Sequence, residues 1–110
     1  MSITTHVLDV AGGRPAAGMG VLLSVRSGDG WRELARATTD GDGRARFDDA
    51  GAVEVAAYRL RFETGDWFRG TGLSGFWPHV EIAFEVDDPR EHYHVPLLLS
   101  PYGYSTYRGS

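Results

Sequence analysis

The chain has 110 residues, a formal net charge of −4 and no Cys, which is the length of one domain, 1–110, with roughly two thirds of its unfolded surface to bury. Without Cys there is no disulfide framework, thiolate zinc site or Cys nucleophile, and with all 11 basic residues Arg there is no Schiff-base lysine. The acidic balance argues against a nucleic-acid partner, no apolar run nears the ~20 residues of a membrane span, and the opening Met1-Ser2-Ile3-Thr4-Thr5-His6 has no signal-peptide pattern, so the expected compartment is the cytoplasm.

Residues 3–10 are short and β-branched, and they read as a strand. Thr4, His6 and Leu8 share one face; Thr5, Val7 and Asp9 share the other. Residues 11–15 read as a loop. Over 19–26, Met19, Val21, Leu23 and Val25 alternate with Gly20, Leu22, Ser24 and Arg26, the pattern of a half-buried strand. Ser27-Gly28-Asp29-Gly30 turns the chain, and 31–38 returns it. Thr39-Asp40-Gly41-Asp42-Gly43 is a second turn, before a short strand at 44–47.

The stretch 53–62 changes phase. Val53 and Val55 are apolar at odd positions, Tyr58, Leu60 and Phe62 at even ones. Either a bulge sits near Ala56-Ala57 or the strand begins only there. Residues 63–75 read as a linker with one helical turn around 66–69, limited by Gly65 and Gly70. Val80, Ile82, Phe84 and Val86 mark a strand that ends at Asp87-Asp88-Pro89. The runs 92–99 and 102–108, joined at Ser100-Pro101, read as a tight antiparallel hairpin. His92, His94, Pro96 and Leu98 share one face of its first strand. Pro96 cannot donate a ladder hydrogen bond, so an edge, a bulge or a strand end is expected there. Seven or eight short strands with regular turn signals predict an all-β sandwich.

Four features carry chemistry. His6 lies mid-strand, where an imidazole is more often structural than catalytic. His92-Tyr93-His94 puts two imidazoles on one strand face; with His6 they could chelate Zn²⁺, or act by acid–base chemistry without a metal. Asp40-Gly41-Asp42-Gly43 lacks the spacing and terminal Glu of a calcium loop and reads as a turn. Arg44 follows it, and a guanidinium suits an anionic substrate or a developing oxyanion.

Thr5-His6-Val7-Leu8-Asp9, the Asp42-Gly43-Arg44 turn, the run from His92 to Pro101 and Tyr107-Arg108-Gly109-Ser110 together resemble the transthyretin-related 5-hydroxyisourate hydrolases. The resemblance covers essentially the whole chain, in matching order and spacing, and the closing Tyr-Arg-Gly-Ser is its most specific part. Ser100 to Thr106 also resembles the carrier transthyretin, which lacks the counterparts of His6, Arg44, His94 and the Tyr-Arg-Gly-Ser ending.

The resemblance implies a transthyretin-like β-sandwich of two four-stranded sheets with one short helical turn. It implies a homotetramer, a dimer of dimers, with sites in a channel between dimers. It carries over His6, Arg44, His94 and Ser110 as catalytic residues and His6, Arg44 and Tyr107 as substrate-binding residues; His92 and His79 receive no role. The implied reaction opens a cyclic amide of 5-hydroxyisourate, giving 2-oxo-4-hydroxy-4-carboxy-5-ureidoimidazoline in urate degradation, with no cofactor or metal. His6 and His94 are the candidate base and acid. Arg44 would hold the oxyanion, Tyr107 the substrate, and Ser110, by hydroxyl or carboxylate, a water or a His. The rival reading is a small-ligand binding protein of transthyretin type.

Overall fold

The computed structural model describes residues 2–48 and 54–110, and among these there are nine strands and one helix. They are β1 (Ile3–Asp9), β2 (Arg14–Pro15), β3 (Gly20–Ser27), β4 (Gly30–Thr38), β5 (Arg44–Arg46), β6 (Ala56–Phe62), α1 (Thr64–Gly70), β7 (Val80–Val86), β8 (Tyr93–Ser100) and β9 (Gly103–Thr106). One sheet runs β2-β1-β8-β9, with β5 also paired to β1; the other runs β4-β3-β6-β7. The expected sandwich is therefore present, but its first sheet has five strands rather than four. The addition is β2, inside the segment expected to be a loop: Leu8 pairs with Pro15 and Asp9 with Arg14.

Alternation decides which residues fill the space between the sheets. From β1, Ile3, Val7 and the hydroxyl-bearing Thr5 point inward; Thr5 is tolerated because its Oγ1 donates to the Val95 carbonyl at 2.6 Å. Val21, Leu23 and Val25 of β3 meet Tyr58, Leu60 and Phe62 of β6, and Leu97 and Leu99 of β8 close the core from the other sheet. Full burial of side chains such as Leu60 or Phe62 contributes roughly 1.5–3 kcal/mol each.

The phase change resolves as a strand that begins at Ala56, which leaves Val55 exposed; Val53 lies outside the described residues. The irregularity in this sheet falls instead in β3, where the register with β4 shifts between Leu23 and Ser24.

The helix is longer than the single turn expected. It covers seven residues and buries Thr64, Gly65, Trp67 and Phe68. A helical Gly costs about 1 kcal/mol, but Gly65 has a use here. A Cβ at that position would lie 2.7 Å from the Pro78 carbonyl oxygen, which accepts the Gly65 N–H at 3.0 Å. Trp67 packs inward and its Nε1 donates to the Ala17 carbonyl at 2.8 Å. Close approach and aromatic burial together outweigh the propensity cost.

The hairpin turns through Pro101-Tyr102, since Ser100 pairs with Gly103. Its second strand ends at Thr106, two residues short of expectation. β8 is a central strand, parallel to β1 and antiparallel to β9. Pro96 is therefore not on an edge. The ladder to β9 stops at Leu97–Thr106 and resumes only as a bridge between His94 and Gly109, so the missing Pro96 donor falls in the gap. There Thr106 Oγ1 donates to the Pro96 carbonyl at 2.7 Å.

Candidate active site

The pairing of three strands sets out a small grid on the outer face of the five-stranded sheet. Thr4 is flanked by Arg46 of β5 and His94 of β8; His6 is flanked by Arg44 and Pro96. All six positions belong to the face that β1 and β8 turn away from the core. Two imidazoles and two guanidinium groups are thus neighbours because of register, although Thr4 and His94 are ninety residues apart in sequence.

Arg44 is placed by the acidic turn before it. Asp40 Oδ1 accepts the backbone N–H of Asp42 at 2.9 Å and of Arg44 at 3.0 Å. These two bonds stabilise the carboxylate and hold the Asp40 carboxyl below its usual range. Gly43 has φ +76°, and a Cβ there would lie 2.4 Å from the Val7 carbonyl oxygen. The turn is a scaffold that docks onto β1, with the Val7 N–H donating to the Gly43 carbonyl at 2.7 Å. Among the described residues, no group of three His, Asp or Glu side chains is arranged to hold a metal ion.

A cleft of about 410 Å³ opens over this grid, lined by Thr4, Asp40, Arg44, His92, His94 and Ser110 among others. The closing residues reach it because they are tied down. The Gly109 N–H donates to the His94 carbonyl at 2.8 Å. Arg108 pairs with Glu91 at 2.8 Å and lies 4.5 Å over the Tyr93 ring. Arg108 is thereby an anchor, and Ser110 is carried into the cleft.

His94 has a distinctive environment. It is half-buried, and its Nδ1 lies 2.7 Å from Thr4 Oγ1. Desolvation, then the positive charge of Arg44, then His92 and His6, push its imidazole below the ordinary value of 6.5. Each of these favours a neutral ring, the form that takes a proton from water. His92 stacks beside it, ring centroids 6.3 Å apart. Its Nε2 lies 3.2 Å from the same Thr4 oxygen, and its Nδ1 lies 2.7 Å from Ser2 Oγ.

The expected site residues are distributed as follows. Arg44, His94 and Ser110 share the cleft. His6 is beside Arg44 on the adjoining strand but does not line the cleft wall. Tyr107 is exposed and lines a different cleft of about 330 Å³, with Phe84, Tyr93, Val95 and Arg108. Within one chain it does not join the others. The family resemblance gives Thr4 and His92 no role, and the residues themselves offer His92 only as a chelating or acid–base partner of His94. The signal for them was present only as alternation: Thr4 shares a face with His6, and His92 with His94.

The sequence matches the model of the HIUase/transthyretin family over residues 3–109. It is 51% identical over 112 residues to 5-hydroxyisourate hydrolase from Caulobacter vibrioides, covering 98% of this chain and 97% of that one. Among solved structures, the 5-hydroxyisourate hydrolase of Klebsiella pneumoniae is similar with a TM-score of 0.87 and 37% identity, over 100% of both chains. Sea bream transthyretin in complex with thyroxine has a TM-score of 0.88 but 27% identity, over 97% of this chain and 93% of that one. The fold is thus common to both kinds of relative, while the higher identity lies with the hydrolases. The chain belongs to the HIUase/transthyretin family.

Proposed function

We propose that this protein is a 5-hydroxyisourate hydrolase that opens a ring amide of its substrate to give 2-oxo-4-hydroxy-4-carboxy-5-ureidoimidazoline, in the urate-degrading sequence and in the cytoplasm. The observation that carries this reading is the convergence of Arg44, His94 and Ser110 on one cleft, in a chain 51% identical to a hydrolase of that name.

The chemistry follows from the groups present. His94, kept neutral, takes a proton from water as its oxygen bonds to the ring carbonyl carbon. The carbonyl oxygen gains charge, and Arg44 is the cation beside it. The C–N bond then breaks and the proton returns from His94 to the nitrogen. His6, next to Arg44, positions substrate or water, and Ser110 orients water. No step needs a metal or cofactor. General base assistance is typically worth ~10²–10⁴-fold and one oxyanion donor ~10²–10³-fold.

Tyr107 fits this scheme when subunits assemble, and we assign the protein to a homotetramer, a dimer of dimers, whose shared channel holds the sites. Supporting this, Phe76, Tyr102, Tyr104 and Tyr107 are exposed near the free edge of β9, and an uncovered strand edge and aromatic surface call for a partner. Transport of a ligand is the weaker reading, since the thyroxine-bound relative shares the fold at 27% identity. The test is the decay of freshly formed 5-hydroxyisourate, followed by ultraviolet absorbance with and without protein. A faster decay supports the reading, and an unchanged one removes it.

A further inference from the structure

The proposed reaction, on which this inference rests, leaves a proton behind. Its product carries a carboxyl and a ureido group. The ureido nitrogen is flanked by a carbonyl and does not hold an extra proton at neutral pH, whereas the carboxyl ionises. One proton per turnover must therefore leave a cleft lined by Arg44, Arg46 and His92 as well as His94, Asp40 and Ser110, with His6 beside Arg44 on the adjoining strand. A lasting charge on His94 is disfavoured there.

Only one route of hydrogen bonds leads away from the His94 ring in the described structure. His94 Nδ1 lies 2.7 Å from Thr4 Oγ1, which lies 3.2 Å from His92 Nε2; His92 Nδ1 lies 2.7 Å from Ser2 Oγ. A hydroxyl carries a single proton. Thr4 can donate to one imidazole only, and it must accept from the other. Each neutral imidazole likewise donates from one nitrogen and accepts at the other. The four groups therefore have two self-consistent orientations, each the reversal of the other. Thr4 is held at the junction by its register between Arg46 and His94. Ser2 is held by its carbonyl, which accepts the Tyr93 N–H at 3.0 Å. His92 is exposed, so the far end meets solvent.

We propose that Thr4 and His92 are positioning residues that fix the tautomer of His94 and conduct its proton to solvent through Ser2. In the resting orientation His94 Nδ1–H donates to Thr4, Thr4 to His92 Nε2, and His92 Nδ1–H to Ser2, which leaves the His94 Nε2 lone pair free as the base. When Nε2 takes the proton of the new carboxylic acid, Nδ1 gives its proton to Thr4 Oγ1. Thr4 passes its own to His92 Nε2, His92 Nδ1 passes its own to Ser2 Oγ, and the Ser2 hydroxyl proton goes to water. Each group ends neutral with the whole chain reversed. After product leaves, Nε2 releases its proton to water in the open cleft as one enters at Ser2 and restores the first orientation. Over the full cycle one proton reaches solvent, and the path keeps His94 neutral for as long as product fills the cleft.

The test combines Thr4→Val, Thr4→Ser and His92→Gln. In weakly buffered solution, Thr4→Val and His92→Gln should each lower kcat by about ten-fold, less than the ~10²–10⁴-fold of the base itself, with KM little changed. Raising the concentration of an imidazole buffer at constant ionic strength should restore much of that loss, because buffer substitutes for the path, and should leave wild type unaffected. Thr4→Ser should recover most of the rate, since it keeps the hydroxyl. Without substrate, the ¹⁵N signal of His94 Nδ1 should move in Thr4→Val and stay in place in Thr4→Ser. Undiminished kcat in both Thr4→Val and His92→Gln would overturn the proposal, as would a loss that buffer does not restore, or an Nδ1 signal indifferent to Thr4→Val. The resonance measurement needs no turnover, so it reads the path even if wild type proves inactive on 5-hydroxyisourate, a result that would count against the proposed reaction alone.

Discussion

Gly109 lies flat against the imidazole of His94: a Cβ on Gly109 would come within 2.4 Å of His94 Cδ2 and 3.4 Å of Pro96 Cγ. The same residue donates its N–H to the His94 carbonyl. The closing segment thus grips β8 by its backbone and packs over the His94 ring by having no side chain. Gly109→Ala should push the ring from its place while leaving the core untouched. We expect kcat to fall at least ~10-fold, as small misplacements of reacting groups do, with an unchanged far-ultraviolet circular dichroism spectrum. Wild-type kinetics in this variant would show that the contact has no bearing on the site.

The imidazoles should separate by role. His94→Asn and His6→Asn should each lower turnover by ~10² or more. His92→Asn should cost much less, because both ring nitrogens of His92 are engaged with Thr4 and Ser2 and neither is left to act on substrate. If steady-state kinetics rank His92 as the most damaging of the three, the assignment of His94 as base is wrong.

Arg44→Lys should behave as a loss rather than a conservative change. A planar fork that engages two oxygens is not reproduced by a point charge, and the turn from Asp40 to Gly43 holds the backbone for the longer side chain. The expected result is a drop in kcat, with the turn and the fold intact. Kinetics equal to wild type would return Arg44 to the class of solvated turn residues.

The pH profile follows from the direction of the His94 shift. Burial, Arg44, His92 and His6 all lower its pKa, so the neutral, competent form persists below 6.5. The rate should be flat through neutrality and fall only at more acid pH, as His94 takes up a proton. Replacing Arg44 by Gln removes the second largest cause and should move the acid limb of the residual activity upward. It should not return fully to 6.5, because burial remains. An acid limb that is unmoved, or that moves down, would contradict this electrostatic account.

Deleting 107–110 tests the closing segment as a whole. Arg108 and Gly109 are tied to Glu91, Tyr93 and His94 at the surface of the sandwich, and none of the four residues belongs to the core. Most activity should disappear while secondary structure is retained. Near-full activity would remove Tyr107 and Ser110 from the site.

Most strands were legible because one face of each is apolar and alternation has a fixed period. The core residues of β3, β6 and β8 follow directly from it. The two-residue strand β2 was not legible, since two exposed residues carry no pattern. The extra length of α1 was hidden for another reason: Gly65 reads as a helix breaker until the Pro78 backbone is seen against it. Within the site, alternation gave the faces of His6 and His94 but not their neighbours. Which strand lies beside which is a property of the sheet. The parallel pairing of β1 with β8 joins Thr4 to His94 and His6 to Pro96, and no local signal announces it. Tyr107 illustrates the remaining limit, because its place on another cleft of the same chain depends on the path of the tail past Pro96.

In the proposed reaction, the cleft built on Arg44 and His94 hydrolyses 5-hydroxyisourate without drawing on a metal ion. The direct measurement adds purified protein, with chelator present, to 5-hydroxyisourate freshly generated by urate oxidase, and follows ultraviolet absorbance. Wild type should accelerate the loss of the intermediate in proportion to protein concentration, with chelator making no difference, and His94→Asn at the same concentration should fall ~10² or more below it. Decay at the spontaneous rate with folded wild type would contradict the account, and so would activity that chelator abolishes and Zn²⁺ restores.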